Sequence, residues 1–88
     1  MQAHHHQNHL KLDECLTALQ SVTDIRAKSA MWKFYNVVRK YWTELDTEMI
    51  ACRRRGVFTT KYREIEEKFN ESIKHFQQYS LIAVLTYS

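Results

Sequence analysis

The single glycine and the absence of proline limit this 88-residue chain to a few long helices joined by few turns. A β-sandwich or barrel needs turn residues at roughly every 8–12 positions, and this chain does not supply them. A glycine-rich phosphate-binding loop is excluded because it needs several glycines and the chain has one. The length predicts one small domain with a thin core, because such a chain buries only about three-fifths to two-thirds of its unfolded surface.

Two amphipathic patterns predict long helices on either side of Gly56. The first covers about residues 24–54, and the second begins at Thr59 or Thr60. Gly56 follows three arginines and is expected to end the first helix in the left-handed conformation. Because only about four residues join the two helices, they must form an antiparallel hairpin. Apolar residues recur at steps of three and four at Met31, Phe34, Val38, Tyr41, Leu45, Met49 and Cys52 in the first helix, and at Phe58, Tyr62, Ile65, Phe69, Ile73 and Phe76, with Ser80 at the end, in the second.

The N-terminal part of the chain predicts a shorter helix and a tail. The helix covers about residues 10–22, and Thr23 is expected to cap the helix that follows, with Asp24 in its first turn. Residues 1–9 contain four histidines without periodicity, so we expect a disordered tail, either natural or left from an affinity tag. The expected fold class is all-α: an elongated three-helix bundle over residues 10–88, with an antiparallel long-helix hairpin and a short N-terminal helix.

The chemistry-bearing residues predict a protein that is not an enzyme. Glu71 and His75 lie four residues apart, but no nucleophile accompanies them, and the glutamates at 64, 66, 67 and 71 are expected to face solvent. A metal site needs rigid ligand geometry, which a disordered histidine-rich tail does not provide. We therefore expect no catalytic residue, no metal, no cofactor and no small-molecule substrate.

Cysteine usage and hydropathy bear on location. Cys15 and Cys52 lie 37 residues apart without metal-ligand spacing, and we expect both to be reduced and partly buried, as in a cytoplasmic protein. No signal peptide is visible at the N-terminus. The chain has no run of 18 apolar residues, so no membrane span is expected.

Apolar surface in excess of what two long helices can cover predicts a protein partner. Ile25, Trp32 and Ile50 form a second apolar ridge, about 140° from the main stripe of the same helix. The alternative is that Trp32 covers an intramolecular core. Beyond Tyr79, residues 81–85 are apolar on all sides, so this end is either buried or meets a partner. We expect a non-enzymatic interaction protein (an adaptor, regulator or inhibitor), most simply a homodimer, with candidate contact residues Ile25, Trp32, Tyr35, Arg39, Trp42 and Ile50.

Nucleic acid binding is the alternative function. The net charge is +3, from 13 Lys and Arg against 10 Asp and Glu, and the surplus lies between Asp24 and Arg55. A stripe of basic residues spaced by seven could follow phosphates, although Glu44 interrupts it and a helix C-terminus favours cations in any case. The candidate residues are Arg26, Lys33, Lys40, Arg53, Arg54 and Arg55.

Overall fold

The computed structural model describes residues 1–87 and contains three α-helices, with no strand in that range. They are α1 (Gln2–Ser21), α2 (Ile25–Arg55) and α3 (Thr60–Tyr87). The molecule measures 48 × 18 × 14 Å. Its radius of gyration of 14.5 Å exceeds the roughly 12 Å of a compact domain of this length. The expected fold class, an elongated all-α three-helix bundle, is confirmed.

The α2–α3 hairpin is the centre of the fold, because most tertiary contacts join these two helices. Gly56 ends α2 with a φ of 73°, and its N–H donates to the carbonyl of Cys52 at 2.8 Å. The hydroxyl of Thr59 accepts from the N–H of Tyr62 at 3.1 Å, which caps the start of α3. The predicted apolar stripes form the core, except that Phe34, Tyr41, Phe58 and Ser80 are only partly buried.

The start of α2 differs in detail from the sequence prediction. Asp24, not Thr23, is the N-cap, and its carboxylate accepts from the N–H of Arg26 at 2.8 Å. The same carboxylate pairs with the guanidinium of Arg26 at 3.0 Å. These bonds to Arg26 hold the pKa of Asp24 at about 2.

The prediction of a disordered tail over residues 1–9 is wrong, because α1 begins at Gln2. This helix is therefore longer than the predicted helix over residues 10–22. Its buried positions His5, Asn8, Leu12, Cys15 and Leu19 recur at steps of three and four along the whole helix. The first two are polar, which is why hydropathy alone missed them. The end of the predicted domain, Ser88, lies outside the described residues.

Candidate interaction surface and a buried histidine network

The last turns of α3 form an apolar end of the bundle. Leu81, Ile82, Val84 and Leu85 are 41–69% exposed, whereas Ala83 is buried. At 100° per residue, these exposed side chains cover an arc of about 160° around the helix. Beside them lies a concave surface whose lining includes Val22, Ala27, Val84 and Tyr87. We name the four exposed residues 81, 82, 84 and 85 the apolar end.

The second ridge of α2 is exposed at all three predicted positions. Ile25 is 72%, Trp32 45% and Ile50 53% exposed. Trp32 stacks on Tyr35 with ring centroids 5.1 Å apart, so one face of its indole lies against the bundle. Ile25 starts α2 near the apolar end, since Ala27 and Val84 line the same concavity. Ile50 is about 27 Å farther along the helix than Trp32, so the ridge is not one continuous patch.

The other predicted contact residues have different environments. Tyr35 is buried against Phe76, with an edge-to-face ring contact at 6.4 Å, and burial raises its pKa. Tyr35 is therefore a core residue of the described protomer. Trp42 is half-buried, because the imidazole of His5 stacks on it at 4.6 Å. Arg39 is exposed.

The basic residues considered for nucleic acid are divided between two environments. Arg26 is held by Asp24 and lies over the ring of Tyr87 at 4.9 Å. Lys33 and Lys40 are exposed on α2. Arg53, Arg54 and Arg55 are exposed in its last turn, where the helix dipole favours positive charge.

A buried polar network joins the first turns of α1 to the hairpin. His5 is 6% exposed, and its Nδ1 lies 2.9 Å from the hydroxyl of Tyr62 on α3. Its Nε2 lies 3.0 Å from a carboxylate oxygen of Asp46 on α2. Asn8 donates to the hydroxyl of Tyr62 at 3.3 Å and to the carboxylate of Glu66 at 2.7 Å. His4 contacts the same carboxylate.

One protonation pattern is consistent with every hydrogen bond of this network. Tyr62 donates its hydroxyl proton to Nδ1 of His5, and the Nε2–H of His5 donates to Asp46. Asn8 then donates to the oxygen of Tyr62, whose pKa is raised by burial. No buried side-chain polar atom among the described residues lacks a partner. The network therefore fixes the N-terminal half of α1 on both helices of the hairpin.

The network also corrects the expectation for the glutamates. Glu64, Glu67 and Glu71 are exposed as predicted, but Glu66 is only partly exposed and faces α1. The sequence signal that could have shown this is the continuation of the α1 stripe through His5 and Asn8. That signal is weak because the two side chains bury polar atoms, which requires partners that the sequence does not identify.

The remaining titratable features are of limited chemical use. Cys15 is buried, and desolvation raises the pKa of its thiol to about 11, so the thiolate form is suppressed.

No group of three metal-ligating side chains converges within residues 1–87. None of the helices in that range is long and apolar enough to cross a membrane. Comparison of the chain with known protein families, curated proteins and solved structures gave no match.

Proposed function

We propose that this protein is a non-enzymatic helical interaction module that self-associates through its apolar end. The observation that supports the proposal is the exposure of Leu81, Ile82 and Val84, together with Ile25, at one end of the bundle. Side chains of this kind placed together mark an interaction site more often than scattered ones do. An adaptor, regulator or inhibitor role in the cytoplasm belongs to the same proposal, since both cysteines are free thiols.

A second copy of the chain is the proposed partner, because the apolar end carries no charge that would repel the same surface of another protomer. The chain carries no Asp, Glu, Lys or Arg between residues 75 and 88. Two copies of α3 can therefore approach about a two-fold axis without like charges meeting. Such an isologous contact would bring the apolar end of one protomer against that of the other.

The size of the exposed surface sets the expected affinity. Burial of a Leu, Ile or Val side chain contributes about 1.5–3 kcal/mol, and each side chain of the apolar end is roughly half exposed. Covering them on two protomers contributes on the order of 10 kcal/mol. Association costs at least about 4 kcal/mol, which leaves about 6 kcal/mol, so we expect a dimer with a dissociation constant of some tens of micromolar or weaker.

Sedimentation equilibrium between about 5 and 500 µM tests the proposal on the full chain. The informative variant is Leu81→Lys, which places a charge in the apolar end and opposes its symmetry mate. Gln77→Lys is the matched control, because it adds the same charge one turn earlier on the same exposed face of α3. We expect the wild type and Gln77→Lys to dimerise and Leu81→Lys to be monomeric. A wild-type monomer over the whole range would overturn the proposal.

Nucleic acid binding rests on weaker support, because Arg26 is engaged by Asp24 and Tyr87. It would replace the first proposal if the protein bound duplex or single-stranded nucleic acid with a steep inverse dependence on salt. Neutralising Arg53, Arg54 and Arg55 would then have to abolish that binding. Salt-titrated fluorescence anisotropy on labelled oligonucleotides measures both effects.

A further inference from the structure

One side of α1, at the edge of its contact with α2, carries two histidines and an aspartate in register. His6, His9 and Asp13 are separated by three and four residues, so they lie on one side of the helix. The imidazole rings of His6 and His9 are nearly parallel, with an interplanar angle of 26° and centroids 6.5 Å apart. Nδ1 of His9 lies 3.3 Å from a carboxylate oxygen of Asp13.

We propose that His6 and His9 bind a divalent transition-metal ion of the Zn²⁺ or Cu²⁺ type, and that Asp13 is the positioning residue. Imidazole nitrogens are good ligands for these ions. A metal-binding histidine usually donates its second ring N–H to a carboxylate, which fixes its tautomer. The carboxylate of Asp13 lies at ion-pair distance from Nδ1 of His9, so a small side-chain rotation would make this hydrogen bond and leave Nε2 of His9 as the metal ligand.

The helical structure of residues 2–9 is what makes this site possible. The sequence-based expectation of no metal site assumed a disordered tail. In α1, His4 contacts Glu66 at the surface and His5 is buried against Tyr62 on the hairpin, whereas His6 is exposed and lies beside His9. His4 and His5 thus have hydrogen-bonding partners on the hairpin, and His6 and His9 form a separate pair.

Tertiary packing further restrains His9. Its ring lies 5.1 Å from that of Trp42 on α2, so the ligand is held on the surface of the hairpin as well as by Asp13. His6 is exposed, and its side chain can rotate to place a nitrogen about 2.0–2.1 Å from a shared ion. Water would complete the coordination, since no third protein ligand converges within the described residues. We therefore expect weaker binding than at a structural zinc site with four protein ligands.

Two measurements on the full chain test the proposal. Isothermal titration with ZnCl₂ at neutral pH gives the affinity and stoichiometry. Titration with CuCl₂ in a Trp32→Phe background reports the ion through Trp42 fluorescence, because His9 lies against that indole. We expect one equivalent of Zn²⁺ per chain and quenching of Trp42 by Cu²⁺ at the same site.

The variants separate this site from other modes of binding. His6→Ala and His9→Ala should each weaken Zn²⁺ binding more than tenfold, and Asp13→Asn should weaken it about tenfold. His75→Ala is the matched control, because His75 is also an exposed helical histidine, and it should leave binding unchanged. Circular dichroism of each variant verifies that α1 is retained.

Three results would overturn the inference. The first is the absence of measurable Zn²⁺ binding. The second is binding that His9→Ala leaves intact while His4→Ala removes it, which is the pattern of an unstructured chain chelating through adjacent histidines. The third is an equal loss in His75→Ala, which indicates non-specific binding to surface imidazoles.

Discussion

Removal of the Tyr62 hydroxyl is the sharpest test of the buried network that holds α1. Tyr62→Phe keeps the buried ring but deprives Nδ1 of His5 of its donor, which lies 2.9 Å away. Asn8 also loses one of its two acceptors and keeps Glu66. Leaving a buried polar atom unsatisfied costs about 1–3 kcal/mol.

That loss is a large part of the stability of a chain this small. A domain of this length has a free energy of unfolding of roughly 4–13 kcal/mol, and each kcal/mol shifts the melting temperature by about 4–8 °C. We therefore expect Tyr62→Phe to lower the melting temperature by on the order of 10 °C. Urea denaturation followed by circular dichroism at 222 nm gives the free energy directly.

Tyr41→Phe is the control for this experiment. Tyr41 is a half-buried tyrosine whose hydroxyl makes no hydrogen bond to the described residues, and its removal should change stability by less than about 0.5 kcal/mol. Hydrogen exchange over residues 5–9, whose amides are bonded within α1, provides a local readout, and Tyr62→Phe should accelerate it. Equal stability of the two variants, or unprotected amides over residues 5–9 in the wild type, would refute the assignment of the network.

Three further predictions concern single residues elsewhere in the chain. Gly56→Ala should destabilise the protein by about 1–2 kcal/mol in urea denaturation, because alanine is strained at a φ of +73°. No atom lies within 4 Å of the added Cβ, so this backbone strain is the whole expected effect. An unchanged stability would contradict the left-handed assignment. The depressed pKa of Asp24, about 2 against 3.8 for the free side chain, contributes stability that is present above pH 3.8 and is lost as pH falls toward 2. Asp24→Asn should flatten the dependence of the urea midpoint on pH in that window, and an unaltered slope would exclude the effect. Cys15, with a pKa of about 11, should react with Ellman's reagent at pH 8 far more slowly in the native than in the unfolded protein, and rapid native labelling would show that its thiol is accessible.

The hairpin could be predicted from the sequence because each of its signals is local. The α2 stripe, the arginines before Gly56 and the Thr59 cap predicted boundaries within one or two residues of those observed. These features depend on helical periodicity and on capping by nearby side chains. The exposure of Ile25, Trp32 and Ile50 was also expected, because the ridge lies off the axis of the main stripe.

The first turns of α1 could not be predicted because their partners are distant in the sequence. His5 lies 57 residues from Tyr62 and 41 from Asp46. Hydropathy counts a buried histidine as a solvated one, and only the tertiary structure shows its acceptors. The sequence pattern places Tyr35 on a partner surface for a related reason: its aromatic neighbour in the core, Phe76, belongs to another helix.

The separation of α1 from its docking residues has a consequence for how the chain assembles. The α2–α3 pair closes through a short turn, and such local closure is fast. Of these three helices α1 is synthesised first, and its native contacts cannot form until Glu66, 58 residues after Asn8, has been synthesised. During that interval its histidines, Asn8 and Leu12 are available to chaperones, to the nascent chain of a neighbouring ribosome or to solvent. We therefore expect α1, the earliest of the three helices to be synthesised, to be the last of them to dock.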